Sequence, residues 1–313
     1  MKGLEEARKF YEEAGAEMIS HNFGDFENRI AVGLVGHGSE CFGFDDQTSR
    51  DHDFETGFCL WLTKEDEEKI GFYLMRAYDK LKAEYALKNG VGNARSSVES
   101  STFKGVFTIG DFYRRYTGSD GAPTTWQEWL YTDSFYFAEA TNGEVFLDDL
   151  GEFTKIRNEI LHGMPEDVRI KKIGSCALRA AQSGQYNYAR CIKHGEGGAA
   201  MLALCEFVKS ACELAFLLEK RHMPYYKWAI RQMRSLSKFG SLAAPLEFLL
   251  TADNDESGKR VKREIIEDVC GAFAKEMNEQ FELKIEGNYL EPFGYAIQKR
   301  IKNADIRNLH VIL

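Results

Sequence analysis

The fold is decided by residues 29–62, which read RIAVGLVGHGSECFGFDDQTSRDHDFETGFCLWL. Residues 30–35 form an apolar run, and a second apolar run occupies residues 58–62. A Gly-His-Gly-Ser turn at residues 36–39, called the glycine turn below, follows the first run, and the acidic segment 51–55 leads into the second. Short apolar runs bounded by turn residues are typical of buried strands. The stretch therefore predicts two strands that bring a serine turn and a row of carboxylates to one place.

Three carboxylates alternate along the segment that leads into the second strand. Successive side chains of a strand point to opposite faces, so Asp51, Asp53 and Glu55 share one face while His52 and Phe54 take the other. Neighbouring carboxylates repel one another unless a cation or a basic group neutralises them. Because carboxylate oxygens suit Mg²⁺, a divalent metal is the expected neutraliser.

The glycine turn has the composition of a phosphate-binding loop. Gly36 and Gly38 permit a sharp turn and let backbone N–H groups approach a phosphate closely. The Ser39 hydroxyl can donate a hydrogen bond to the same phosphate. The alternative is an ordinary tight turn, and the acidic pair downstream favours the phosphate interpretation.

These motifs resemble the nucleotidyltransferase superfamily of the DNA polymerase beta type, in which an apolar strand and a Gly-Ser turn precede Asp-x-Asp on the next strand. More narrowly, residues 38–53 resemble a bacterial family labelled as a domain of unknown function, DUF4037. Two later blocks, residues 142–151 (NGEVFLDDLG) and 221–228 (RHMPYYKW), also resemble that family.

The resemblance implies an α+β fold in two domains. An N-terminal nucleotidyltransferase-like domain, residues 1–151, is expected to hold a mixed β-sheet with flanking helices. A C-terminal all-α helical bundle is expected over residues 152–313. Helical periodicity dominates from about residue 152 and favours the same division.

The resemblance further implies transfer of a nucleoside monophosphate from an NTP, expected to be ATP, to a hydroxyl of a small-molecule or protein acceptor. Asp51 and Asp53 are expected to hold one or two Mg²⁺ ions and to act in catalysis. Gly38 and Ser39 are expected to hold the β- and γ-phosphates.

Two further groups are assigned to this site with alternatives. The third carboxylate is expected at Glu99, with Asp111 and Glu55 as alternatives, because the predicted strand at residues 106–109 carries no acid. Phosphate-binding cations are expected at Arg50 and Lys227, with Arg179 and Arg190 as alternatives for the latter. Arg50 has the equal alternative of pairing with a neighbouring aspartate, at position 45 or 46.

Composition restricts the class of protein. The 313-residue chain is 44% hydrophobic, has a formal net charge of -9 and contains 7 Cys. The hydrophobic content supports a sizeable core, and the acidic charge argues against a nucleic-acid partner. The cysteines lack paired spacing, no apolar run approaches the roughly 20 residues of a membrane span, and the acidic N-terminus is unlike a signal peptide. We expect a cytoplasmic protein with reduced cysteines and no membrane partner.

Two other classes remain as alternatives. The first is a catalytically degenerate nucleotide-binding or regulatory protein of the antitoxin type, which the missing acid on the third strand favours. The second is a nucleic-acid polymerase or terminal transferase. The net charge and the lack of a basic, aromatic-rich stripe count against the second.

Overall fold

A small four-stranded mixed sheet organises the N-terminal half of the computed structural model, which describes residues 2–46, 56–89 and 103–313. The strands are β1 (Ala31–Leu34), β2 (Cys59–Leu62), β3 (Val106–Thr108) and β4 (Glu144–Leu147), in the order β3-β2-β1-β4. β1 is antiparallel to both β2 and β4, whereas β2 and β3 are parallel. The prediction of a mixed sheet within an α+β protein is confirmed.

Two compact units make up the chain. Unit 1 comprises Met1–Glu128 and Tyr136–Gly163, and unit 2 comprises Trp129–Phe135 and Met164–Leu313. Each unit is therefore assembled from two separate segments. The domain boundary expected between residues 151 and 152 stays a prediction, because a compact unit is not in itself an independently folding domain.

Both faces of the sheet in unit 1 are covered. On one face, Val32 of β1 and Leu60 of β2 belong to a buried cluster with Phe10 from the N-terminal helix. On the other face, Trp61 of β2 stacks on Phe153, with ring centroids 3.9 Å apart. All four residues of β1 are buried, as its apolar sequence predicts for a central strand.

The helical segments of unit 1 begin with Gly3–Phe10, Tyr11–Gly15 and Ala16–Phe23. The segments that follow are the 3-10 turns Gly24–Arg29 and Glu40–Phe42, then Lys64–Asp66, Glu67–Gly71, Phe72–Asn89, Ile109–Thr117, Ser134–Thr141 and Glu152–His162. Trp126–Tyr131, which the sequence analysis did not predict, and Ser134–Thr141 each continue across a boundary between the units.

Threonine side chains begin two of these helices. Thr63 accepts a hydrogen bond from the Asp66 N–H, as its N-cap pattern predicts. Thr108 does the same for the Asp111 N–H and starts the helix at Ile109. Asp111 therefore lies in the first turn of this helix, and the threonine three residues earlier provides the N-cap.

Unit 2 contains helices and no strand over its two segments, all of whose residues the structure describes. Its helical segments after residue 163 are Glu166–Ala180, Ala181–Tyr188, Ala189–Lys193, Gly197–Leu218, Tyr226–Met233, Gly240–Leu242, Ala243–Thr251, Glu256–Phe281, Glu291–Gln298 and Ala304–Asn308. Gly195 has a φ of +77° and interrupts the helices at the predicted glycine cluster. Leu204, Phe207 and Leu214 are buried in the core of this unit.

The cysteines and the lengths of the helices bear on two of the sequence-based expectations, reduced thiols and the lack of a membrane span. All seven cysteines are free thiols, and five of them are buried: Cys41, Cys59, Cys176, Cys212 and Cys270. Over the described ranges, every helix is too short or too polar to cross a lipid bilayer.

Candidate functional site

Strand directions bring four chain segments to one end of the sheet. Antiparallel pairing sets Leu34, the last residue of β1, beside Glu144, the first residue of β4. The start of β2 lies at this end too, because Cys59 pairs with Gly33. Since β3 runs parallel to β2, it also begins here. The glycine turn, which leaves β1, therefore lies beside the starts of the other three strands.

Both glycines of the turn have a backbone conformation that other residues rarely adopt. The φ angles of Gly36 and Gly38 are +119° and +121°. A Cβ atom at Gly36 would lie 2.5 Å from the Tyr116 hydroxyl oxygen. Burial raises the pKa of Tyr116 far above its ordinary value, so this hydroxyl stays protonated against the turn.

Asn142 holds the first glycine in place. Its Oδ1 accepts a hydrogen bond from the Gly36 N–H at 2.8 Å, and its Nδ2 donates to the Gly36 carbonyl at 2.7 Å. Arg157 Nη1 donates to the Asn142 carbonyl at 2.7 Å, and the Gly143 N–H donates to the Cys41 carbonyl at 2.8 Å. The Asn-Gly pair of the second family-like block thus braces the glycine turn from both sides.

A carboxylate and a lysine lie against the second glycine. A Cβ atom at Gly38 would be 2.6 Å from Glu40 Oε2. Glu40 Oε1 lies 3.0 Å from Lys104 Nζ, and the two side chains are only 12% and 8% exposed. Lys104 precedes β3, so the parallel pairing of β2 and β3 brings this cation to the turn.

Histidine and cysteine at the turn do not form a metal centre with other described residues. His37 Nδ1 lies 3.5 Å from Glu139 Oε1, and the buried Cys41 thiol lies 3.5 Å from the His37 carbonyl oxygen. His52 lies outside the described residues. Across residues 2–46, 56–89 and 103–313, no group of three His, Cys, Asp or Glu side chains lies close enough together to hold a metal ion.

Four of the predicted site residues, Asp51, Asp53, Arg50 and Glu99, lie outside the described residues, and so does Glu55. Their roles stay predictions. Thr56, the first described residue after that acidic segment, precedes β2 at the end of the sheet where the glycine turn lies.

Gly38 and Ser39 both lie in the glycine turn. The Ser39 side chain is half-buried, and the Ser39 carbonyl accepts hydrogen bonds from the Phe42 and Phe44 N–H groups at 3.2 and 2.8 Å. These bonds fold the chain back directly after the turn. Ser39 directly precedes Glu40, whose Oε1 lies 3.0 Å from Lys104 Nζ.

Three aspartates, at positions 45, 111 and 148, form hydrogen bonds or ion pairs with other groups of the protein. Asp111 pairs with Arg114, and it follows the last residue of β3, at the end of the sheet away from the glycine turn. Asp45 is buried and accepts a hydrogen bond from the Gly3 N–H at 2.9 Å. Asp148 accepts hydrogen bonds from the Gly151 and Thr154 N–H groups at 3.1 and 2.7 Å.

The third family-like block lies in unit 2. Lys227 is exposed, and its Nζ lies 5.4 Å from the centroid of the Trp228 ring. The two alternatives to Lys227 are engaged: Arg179 Nη2 donates to Glu213 at 3.0 Å, and the Arg190 guanidinium lies 4.9 Å from the Tyr186 ring.

Trp129–Phe135 packs against this block. The Ser134 hydroxyl oxygen accepts a hydrogen bond from the Met223 N–H at 2.7 Å. The Phe135 and Tyr225 rings meet edge to face at 5.4 Å, and the Trp129 and His222 rings stack at 6.5 Å. This segment therefore orders residues 222–225, directly before Lys227.

Sequence reasoning missed Lys104, Asn142 and Tyr116 as residues of the candidate site. Asn142 stood in a family-like block, and its place directly before a glycine was the available signal. Lys104 and Tyr116 carried no such signal, because their positions depend on the pairing of β3 with β2 and on the packing of the next helix.

Comparison with protein families gives one match. Residues 129–229 match the family model described as a domain of unknown function, DUF4037. The match supports the DUF4037 part of the expected resemblance. Searches of curated proteins and of solved structures found no match. The matched region starts and ends in unit 2, where Trp129–Phe135 packs against residues 222–225, and it includes Asn142, which braces the glycine turn in unit 1.

Proposed function

We propose that this protein is a magnesium-dependent nucleotidyltransferase that moves a nucleoside monophosphate from an NTP, ATP being expected, to a hydroxyl of a small-molecule or protein acceptor. The observation that carries the proposal is the arrangement at one end of the sheet. A braced glycine turn with a serine, the nearly buried cation Lys104 and the start of β2 lie there together. In sequence, Asp51 and Asp53 lie eight and six residues before Cys59, the first residue of β2.

In this proposal the chain's own groups at the turn bind and orient the triphosphate. The Ser39 hydroxyl and the Gly38 backbone lie at the bend of the turn, where phosphate oxygens can approach closely. Lys104 supplies a positive charge of low exposure, which interacts with a phosphate more strongly than an exposed lysine does. The N–H of Gly36, the first glycine of the turn, already donates a hydrogen bond to Asn142 Oδ1. The task of these residues is positioning and charge stabilisation.

Mg²⁺ belongs to this proposal through Asp51 and Asp53. The pairing of Lys104 Nζ with a carboxylate oxygen at 3.0 Å supports the proposal that this corner can hold an anionic oxygen group. Mg²⁺, when bound, supplies charge neutralisation for the triphosphate and activation of the acceptor hydroxyl. Glu99 is proposed as the third carboxylate.

The test is Mg²⁺-dependent release of pyrophosphate from each of the four common NTPs, measured with a panel of hydroxyl-bearing acceptors. We expect release with the wild-type protein and its loss in Asp51→Asn. Asp79→Asn, which changes an exposed carboxylate of the same unit, is the matched control and should retain activity. Equal release by Asp51→Asn and the wild type would refute the assignment.

A second candidate is a nucleotide-binding protein without transferase activity. It is favoured by β3, which carries no acidic residue, and by Asp111, which lies at the other end of the sheet. Nucleotide binding without pyrophosphate release, across the whole panel of acceptors, would support this candidate.

A further inference from the structure

The Glu40 side chain turns back onto the glycine turn that precedes it in sequence. Its Oε2 and Oε1 atoms lie 2.6 Å and 2.9 Å from the position that a Cβ atom would take at Gly38. The φ of +121° at Gly38 strains any larger residue there, whatever the surrounding space. The carboxylate thus fills the space directly beside the backbone of the turn.

A buried cation fixes that carboxylate. Lys104 Nζ lies 3.0 Å from Glu40 Oε1, and neither side chain is more than 12% exposed. The Lys104 stem packs beside Gly57, where a Cβ atom would lie 3.5 Å from Lys104 Cδ. The cation is therefore held between the entry to β2 and the glycine turn, and its charge is directed at the space beside Gly38.

We propose that Glu40 is an internal competitor for the phosphate site, a proposal that rests on the nucleotide site described above. In the protein without nucleotide, the Glu40 carboxylate takes the place beside Gly38 and pairs with Lys104. A phosphate group of the nucleotide displaces it, and Lys104 exchanges one oxyanion partner for another. No bond is made or broken in this exchange.

Competition of this kind selects for polyphosphates. A carboxylate carries one negative charge, whereas a pyrophosphate or triphosphate carries several and offers more acceptor oxygens to the same cation. A monophosphate such as that of AMP carries about −1.5 to −2 and offers fewer oxygens than a polyphosphate, so it gains less from Lys104 and displaces Glu40 less readily. The pair therefore favours NTP and pyrophosphate over nucleoside monophosphate, and it lowers the affinity for all of them.

The two partners of the pair have opposite predicted effects on binding. Removing the Glu40 charge removes the competitor and should tighten anion binding, whereas removing the Lys104 charge removes the binding group and should weaken it. If the pair had only a structural role, removing either charge should change binding in the same direction. Each replacement would leave the other charge buried without its partner.

Calorimetric titration tests the proposal with three probes: inorganic pyrophosphate, AMP and a nonhydrolysable ATP analogue, each with Mg²⁺. We expect Glu40→Gln to bind the ATP analogue and pyrophosphate several-fold more tightly than the wild type does. The ratio of its affinity for these polyphosphates to its affinity for AMP should be smaller than in the wild type. Lys104→Met should bind both polyphosphates at least several-fold more weakly. Thermal unfolding of each variant establishes that it is folded.

Glu40→Asp serves as the second variant at this position, because it keeps the charge and shortens its reach. We expect an affinity between those of the wild type and Glu40→Gln. Changes of the same sign in Glu40→Gln and Lys104→Met, or no change in either, would overturn the proposal, as would a wild-type protein that binds none of the three probes.

Failure of this proposal is distinguishable from failure of the proposed activity. Opposite effects on binding without any pyrophosphate release would support the competitor and refute the transferase. Pyrophosphate release that is lost in Asp51→Asn, together with probe affinities that do not change in Glu40→Gln or Lys104→Met, would support the transferase and refute the competitor.

Discussion

The side-chain amide of Asn142 forms two hydrogen bonds with the backbone of Gly36, a residue 106 positions earlier in the chain. One bond satisfies the Gly36 N–H and the other satisfies its carbonyl. A carboxamide is the side chain that can accept and donate at once in this geometry. The glycine turn is therefore held by a distant residue and not by its own sequence alone.

Replacement of Asn142 tests this brace. Asn142→Ala leaves the N–H and carbonyl of buried Gly36 without these partners, and we expect a loss of about 2 to 4 kcal/mol in the free energy of unfolding. Affinity for the ATP analogue should fall as well, because the turn loses its fixed geometry. Urea denaturation and calorimetric titration measure the two effects.

The control for this replacement is Asn89→Ala, which removes a single exposed hydrogen bond, to the Tyr85 carbonyl, in the same unit. We expect it to change stability by less than about 1 kcal/mol. Similar losses of stability in the two variants would contradict the conclusion that Asn142 holds the glycine turn in place.

Gly143 provides a second test of the same corner. Its φ is +59°, and a Cβ atom there would overlap the Leu34 carbonyl oxygen. Gly143→Ala should therefore destabilise the protein by more than about 3 kcal/mol, since it adds a backbone clash to the left-handed strain of about 1 to 2 kcal/mol. Thermal or urea unfolding measures the change.

Gly151 is the matched control, because its φ is +76° and the space around its Cβ position is open. Gly151→Ala should show the left-handed strain alone. The difference between the two alanine variants then reports the close approach of the chain to Leu34, and a difference near zero would argue against that approach.

The buried carboxylate Asp66 predicts a dependence of stability on pH. Burial raises its pKa, but hydrogen bonds from Arg29 and Thr63 outweigh that effect and hold the pKa below its ordinary value of 3.8. Because the unfolded state then binds the proton more readily, the stabilisation is present above about pH 4 and is lost as the pH falls through the folded-state pKa.

Asp66→Asn should consequently destabilise the protein at pH 7 by about 1 to 3 kcal/mol, with the difference from the wild type shrinking below pH 4. Urea denaturation across pH 3 to 7 follows both proteins. Glu65→Gln, one position earlier and exposed, is expected to have a much smaller effect, since exposed ion pairs contribute little. A constant difference at every pH would contradict the linkage.

Much of the sheet was predictable from sequence. β1 and β2 are short apolar runs bounded by glycines and polar residues, and β4 follows an Asn-Gly pair, so local patterns sufficed to place them. The N-cap at Thr63 was equally local. Patterns of this kind depend only on residues that are close in sequence, which is why their signal survives without knowledge of the tertiary structure.

The composition of the candidate site was less predictable. The glycine turn was recognisable from its own four residues, but Lys104 reaches it only through the parallel pairing of β3 with β2, which no local pattern encodes. Tyr73 shows the same limit: its helical spacing from Ile70 and Leu81 predicts a place on the apolar side of the helix, yet it is 65% exposed. Apolar spacing identifies a face of a helix, whereas tertiary packing decides how wide the buried face is.

The two-segment composition of unit 2 bears on how this protein can be divided. A cut after Gly163 would leave Met164–Leu313 without the Ser134 oxygen that receives the Met223 N–H and without the ring that meets Tyr225. A fragment beginning at residue 164 therefore starts with a gap in its packing beside Lys227. Recombination or proteolysis that separates the chain at residue 163 would leave seven residues of unit 2, Trp129–Phe135, on the fragment that carries unit 1.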